Sequence, residues 1–359
     1  MAQSDQDIQI FDSIENLAPP HMQRLFFGHK AEEKRLLSSW NSGKMHHAWL
    51  LTGPKGIGKA TFAFRAARFI FNEGGKKDAI SLLEDAAPTS LDCPEDSHSN
   101  HLINNLAHPN LLVIDRPYDE KAKKFKTEIT VDEVRKTVKF FGSTAGEGTW
   151  RVCIVDPADD LNSNAANALL KILEEPPKRT VFFLISHAPG RLLPTIRSRC
   201  RRLSFSPLAG KDLSDAIQGL EIADGETLTH LSKSCAGSIR KAAELQSNEG
   251  LVLIHTFERL LAPPHNPDYD SLNNFADLVA QRGKEERIDN FSDLVHGYLS
   301  HQLHQQSRKA NADVKNLNAL ADAWEEAREM LQQTRIFNLD KKQTVIEIVR
   351  MLAKASKAS

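Results

Sequence analysis

Hydrophobic residues in this chain fall into short unbroken runs, separated by longer stretches in which apolar positions recur at helical spacing. The runs are AWLLT at 48–52, LLVI at 111–114, VCIV at 152–155, VFFLI at 181–185 and a fifth at 202–205. Four or five apolar residues without alternation predict a strand buried on both faces. The helical pattern at 61–71 and those between later runs predict crossovers, so the chain up to about Phe205 reads as an α/β domain with a parallel sheet covered on both sides. From Lys211 the strand-type runs cease. Amphipathic stretches follow at 251–261, 272–280, 288–303, 317–331 and 344–353 and predict an all-α C-terminal part. The segment LAPPHNPD, 261–268, interrupts that pattern with prolines and is expected to be a linker. The organisation expected is therefore 1–207, an α/β domain; 208–262, a small helical domain; and 263–359, a second all-α domain.

The first run ends in Gly53-Pro54-Lys55-Gly56-Ile57-Gly58-Lys59, the spacing of a phosphate-binding loop. Its glycines let backbone N–H groups curl round phosphates, its lysine pairs with the β and γ oxygens, and the following helix aims its N-terminus at the anion. The position that should carry a Mg²⁺-binding hydroxyl is Ala60, with Thr61 one residue late. One residue turns a helix by about 100°, so Thr61 is not expected to replace the missing ligand. Two readings stand: a loop that binds ATP at Gly53, Gly56, Gly58, Lys59, Ala60 and Thr61, or a loop kept as a turn with weak or absent nucleotide binding.

The run VCIV ends in Asp156, the form of a Mg²⁺-holding acidic strand, but Pro157 occupies the place where hydrolysing proteins of this type put a glutamate. Asp159 and Asp160 are expected to cap the next helix. In that helix Ala166, Leu169, Leu170 and Leu173 form one stripe for the sheet, and Pro176 is expected to stop it.

GPKGIGK, VCIVDPADDLNSNAANALLKILEEPP and VFFLISHAPGRLLPTIRSRCRRL, in that order, resemble the clamp-loader branch of the AAA+ family, most closely the delta-prime family of bacterial DNA polymerase III. The resemblance includes Gly28-His29 and His47-Ala48, and in the C-terminal helices it extends only to pattern. It implies a P-loop AAA+ domain, a helical lid at 208–262 and a helical collar at 263–359 for oligomerisation. It also implies that Ser198-Arg199-Cys200 carries an arginine finger that enters a neighbouring subunit's ATP site, where a guanidinium neutralises developing charge and is worth roughly 10³ to 10⁵ in rate. Gly237-Ser238-Ile239-Arg240 resembles a second sensor, with Arg240 either on the subunit's own nucleotide or simply exposed on a helix. His187 stands at the first sensor, where Thr or Asn is usual.

The implied partners are the gamma/tau ATPase subunits, the delta subunit, the sliding clamp and primed DNA, with the chain's own hydrolysis weak or absent. The competing reading is an active clamp-loader ATPase or another AAA+ motor, which calls for Ser or Thr at 60 and Glu at 157. A small-substrate kinase would leave the SRC motif unexplained. No paired metal-binding carboxylates of the polymerase kind stand out, so polymerase activity would belong to the holoenzyme.

Composition narrows this further. In 359 residues, 40% are hydrophobic and 26% charged, and Lys plus Arg number 46 against 47 acidic residues, for a formal net charge of −1. DNA contact is therefore expected to be local or shared with partners. The one dense basic cluster apart from the arginines near Cys200 is KAKKFK, 121–126, read as a solvated hairpin tip. No run is long enough to cross a membrane and the N-terminus is acidic, so a cytoplasmic protein without a signal peptide is expected. The scattered cysteines Cys93, Cys153, Cys200 and Cys235 are expected to be reduced. Where many relatives carry a four-cysteine zinc module this chain has only Cys93 with His98, His101 and His108, so zinc is not expected there, and 78–105 reads as a polar, flexible insertion.

Overall fold

A computed structural model describes residues 13–14, 16–76, 87–142, 149–247, 250–284, 286–307 and 314–357. The chain separates into two compact units, one of residues 1–221 with 237–240, the other of residues 222–236 with 241–359.

In the first unit the elements run α1 (Lys30–Asn41), β1 (Ala48–Thr52), α2 (Lys59–Lys76), α3 (His98–Asn104), β2 (Leu111–Ile114), β3 (Tyr118–Asp119), β4 (Lys124–Phe125), α4 (Val131–Gly142), β5 (Arg151–Val155), α5 (Ser163–Glu174), β6 (Thr180–Ser186), α6 (Pro194–Arg199), β7 (Arg201–Ser204) and α7 (Gly210–Gly219). The five apolar runs form one sheet in the order β2-β5-β6-β1-β7, with parallel pairing throughout. All seven residues of β6 are buried, which is why its sequence runs without alternation. Alternate residues still divide between two cores. Trp49, Leu51, Ile154 and Phe183 pack with Phe62 and Phe69 of α2, while Leu50, Cys153, Phe182 and Leu184 pack with Leu169 and Leu173 of α5. The α/β class read from the sequence holds, and α5 ends at Glu174 just ahead of Pro176. The basic cluster 121–126 sits on the antiparallel β3–β4 hairpin, as expected.

The insertion differs from expectation. Its residues 78–86 lie outside the described ones, but from 87 onward it packs into the core: Leu91 and Ile103 are buried, and the Leu91 N–H donates to Glu33 Oε1 at 2.9 Å. Two apolar anchors among acidic and polar neighbours are too few to give a periodic signal, yet each removes a large side chain from water.

The second unit contains only helices among its described residues. They are α8 (Gly225–Ser234), α9 (Ile239–Ser247, whose first two residues belong to the first unit), α10 (Gly250–Leu261), α11 (Tyr269–Val279), α12 (Glu286–Ser307), α13 (Val314–Phe337) and α14 (Lys341–Lys357). The last five coincide with the five amphipathic stretches. Phe257, Phe275 and Phe291, with ring centroids about 6 Å apart, join α10, α11 and α12 across the prolines at 263–264. The three-part division read from the sequence does not coincide with these two units: of its middle part, 208–262, residues 208–221 and 237–240 fall in the first and the rest in the second.

Candidate functional site

The loop after β1 folds back on itself before α2. Gly56 takes φ 77°, in the left-handed region that favours glycine, and a Cβ there would strike Ser238 Oγ and Arg240 Cβ. The reason is a second contact on the same stretch: Ser238 Oγ donates to Lys55 O at 3.1 Å and the Arg240 N–H donates to Gly56 O at 3.2 Å. The Gly237–Arg240 turn is thus bonded to the backbone of the phosphate loop, which places Arg240 at the loop rather than on a free helix surface. His29 supports the loop from the other side, its Nε2 lying 2.8 Å from Ile57 O, and burial holds its imidazole below the usual range.

Lys59, the first residue of α2, is 3% exposed. Its ammonium donates to Gly53 O at 2.6 Å and to Pro54 O, two carbonyls at the start of the loop. Desolvation lowers its pKa to about 8, against the opposing pull of Asp156 and Asp159.

Beyond the lysine lies the acidic end of β5. Asp156 follows the strand, its N–H bonded to Ile114 O at 2.9 Å. The expectation that Asp159 and Asp160 cap the next helix is overturned. Asn162 caps α5, accepting from the Ala165 N–H at 2.9 Å. Asp159 instead accepts from Ser186 Oγ at 2.7 Å, from the Ala188 N–H at 3.1 Å and from the His187 N–H, while Asp160 pairs with Arg116 at 2.6 Å. A three-residue 3₁₀ turn at Ala158–Asp160 intervenes, so the helix starts too late for either aspartate to reach its first amides.

Gly56, Gly58, Lys59, Ala60, Thr61, Asp156 and Arg240 line one cavity of about 480 Å³, together with Arg116, Asp159, His187 and Arg191. Gly53 opens the loop, its N–H bonded to Ser186 O at 3.3 Å, but does not line the cavity. Arg116 and Arg191 were missed in the sequence: Arg116 stands in no motif, Arg191 lies inside the quoted stretch 181–203 but was given no role there, and only the fold brings the two to the cavity. The cavity is of ligand size, and its backbone curl, Lys59, Arg240 and Asp156 are groups that could hold phosphates and a metal. Pro157 offers no carboxylate to orient a water.

Arg199 stands apart from this cavity. It ends α6, with Nη2 2.8 Å from Glu174 Oε1 and Nη1 donating to Thr195 O at 3.1 Å. In the sheet register Trp49 lies opposite Arg201, and the phosphate loop begins four residues further along at Gly53. At about 3.3 Å per residue the two levels are about 13 Å apart. Arg199 precedes Arg201 and lies further back still, at the N-terminal edge of a sheet whose loop is at the C-terminal edge. Its guanidinium does not reach the phosphates of its own loop.

In the insertion Cys93 Sγ lies 3.7 Å from Leu91 O, and beyond it His108 stacks on Phe71 with ring centroids 4.0 Å apart. None of the four cysteines is in a disulfide. Among the described residues no helix is long and apolar enough to cross a membrane.

A family model described as DNA polymerase III, delta subunit, matches residues 28–209, just over half the chain. This chain belongs to that family. It is similar to the DNA polymerase III subunit delta' of Pseudomonas aeruginosa, with 38% identity over 200 residues and 55% of each chain covered. With the subunit delta' of Bacillus subtilis it shares 32% over 217 residues, 60% of this chain and 58% of that one. With the subunit gamma of Buchnera aphidicola it shares 28% over 231 residues, 63% and 58%. The chain spans little more than half the length of these curated relatives. Among solved structures, a gamma subunit-related protein of Thermotoga maritima covers 89% of this chain and 99% of its own at 17% identity and TM-score 0.38. The RuvB branch-migration motor of the same organism covers 74% of each at 16% and 0.39.

Proposed function

We propose that this chain is a clamp-loader subunit of DNA polymerase III that supplies Arg199 to the ATP site of a neighbouring gamma/tau subunit while hydrolysing little or no ATP itself. The observation that carries the reading is the position of Arg199: half-exposed, held by Glu174 and Thr195, and at the edge of the sheet opposite its own phosphate loop. An arginine so placed serves a nucleotide held by another chain. Ala60, Pro157 and His187 each remove a group that hydrolysis in cis calls for, and Lys59 is turned onto the loop's own carbonyls. Relatives named as subunits of DNA polymerase III support the setting. In it, residues 208–262 serve as the lid, residues 263–359 as the collar that assembles with the delta and gamma/tau subunits, and the complex loads the sliding clamp on primed DNA in the cytoplasm.

The cavity with Lys59 and Arg240 favours retained ATP binding without turnover. The test is ATP turnover by the reconstituted loader containing wild-type chain or Arg199→Ala, beside binding and turnover by the chain alone. A fall of roughly 10³ or more in the complex, with an inert isolated chain, is expected. Turnover by the isolated chain together with an unaffected Arg199→Ala complex would overturn the assignment.

A further inference from the structure

We infer that His230, His255 and Glu258 form a binding site for a divalent transition-metal ion of the Zn²⁺ class, joining helices α8 and α10. His255 and Glu258 stand one helical turn apart on α10 and so share a face. Leu231 on α8 and Ile254 and Phe257 on α10, each next in sequence to one of the three, are buried, whereas His255 and Glu258 are exposed. One donor atom from each lies within 4.8 Å of the other two. His230 Nδ1 is 3.8 Å from Glu258 Oε2, beyond hydrogen-bond length, and the two imidazoles meet edge to face with centroids 4.4 Å apart.

The same His230 Nδ1 is shielded from solvent and has no hydrogen-bond partner, so one nitrogen of the group is left unsatisfied. A metal with bonds of about 2.0–2.2 Å needs its ligand atoms about 3.3 Å apart, which asks for a contraction of up to about 1.5 Å that the exposed side chains of His255 and Glu258 allow. Two imidazoles and one carboxylate suit Zn²⁺ and disfavour Mg²⁺ or Ca²⁺, whose ligands are oxygens. The group lies in the second unit and makes no use of the phosphate loop or of Arg199.

The experiment is titration of the untagged full-length chain with Co²⁺ and then Zn²⁺, following the cobalt absorption and the melting temperature. One saturable equivalent of Co²⁺ displaced by Zn²⁺, with a Zn²⁺-dependent rise in melting temperature, is expected. His255→Ala, an exposed change that leaves the fold intact, should weaken binding by at least tenfold, and His230→Gln likewise. A Cys93→Ser, His101→Ala chain should bind as wild type. No saturable binding, or binding that survives His255→Ala and is lost in the Cys93 variant, sinks the proposal.

Discussion

Glu174 and Arg199 are joined by an ion pair of 2.8 Å that ties the end of the helix after the acidic strand to the end of the helix carrying the proposed finger. Both side chains are well exposed, at 49% and 35%, so the pair contributes at most about 1 kcal/mol to stability. Its effect is geometric. Glu174 and Thr195 O engage two of the five N–H donors of the guanidinium and leave three for a phosphate. Glu174→Gln should leave the melting temperature of the chain within a degree or two and slow ATP turnover by the reconstituted loader by about tenfold, against 10³ or more for Arg199→Ala. Arg199→Lys should resemble the alanine variant, because an ammonium cannot hold Glu174 and Thr195 and still present a planar fork. If Arg199→Lys runs at the wild-type rate, the guanidinium geometry is irrelevant and the positioning argument fails.

Lys59 predicts an alkaline dependence of stability. Burial drops its pKa from 10.5 to about 8 in the folded chain, equivalent to about 3 kcal/mol. Between pH 8 and 10.5 the unfolded chain therefore carries more proton at this position, and the contribution of Lys59 to stability rises with pH across that window, its cost being full below pH 8. Lys59→Met discards the charge but leaves Gly53 O and Pro54 O without a donor, at about 1 kcal/mol each. The net expectation is a gain of about 1 kcal/mol at pH 7 and a flatter denaturation midpoint between pH 8 and 10.5. An unchanged pH slope in Lys59→Met would show that the lysine is solvated and not folded onto the loop.

Gly56→Ala tests whether the loop and the Gly237–Arg240 turn act as one body. The new methyl group meets Ser238 Oγ and Arg240 Cβ at a backbone conformation strained for alanine, so a loss of about 2–3 kcal/mol is expected. Ser238→Ala removes the hydroxyl that bonds Lys55 O but leaves the chain path alone, and should cost about 1 kcal/mol. ATP affinity, read by calorimetry, should fall in Gly56→Ala more than in Ser238→Ala, because only the first displaces Arg240.

Most of the α/β unit was legible because its strands are buried on both faces: AWLL, VCIV and VFFLI leave no polar position to confuse the period. The phosphate loop was legible because glycine spacing is a backbone requirement. The partners of its side chains were not. Nothing local distinguishes an aspartate that caps a helix from one that accepts three donors from another strand, so Asp159 was assigned to α5 when Ser186, His187 and Ala188 hold it. Leu91 and Ile103 were hidden for a similar reason, as single anchors in a polar segment. Arg116 and Arg191 reach the cavity through topology alone.

That misassigned aspartate carries the last prediction. Asp159 receives Ser186 Oγ and the N–H groups of His187 and Ala188, and so joins the turn after β5 to the end of β6 at the mouth of the cavity. Asp159→Ala leaves two backbone N–H groups and a hydroxyl without their acceptor, which should cost about 3 kcal/mol. Asp159→Asn keeps the shape and one acceptor oxygen but turns an amide N–H₂ toward a donor, so it should recover only part of that loss. Asn162→Ala, by contrast, removes a single helix cap and should cost about 1 kcal/mol. Urea denaturation of the three variants ranks them. The order Asp159→Ala, Asp159→Asn, Asn162→Ala in decreasing cost follows from a bridge between strands; a reversed order for Asp159→Ala and Asn162→Ala would mean that the helix cap, and not the bridge, holds this edge of the site.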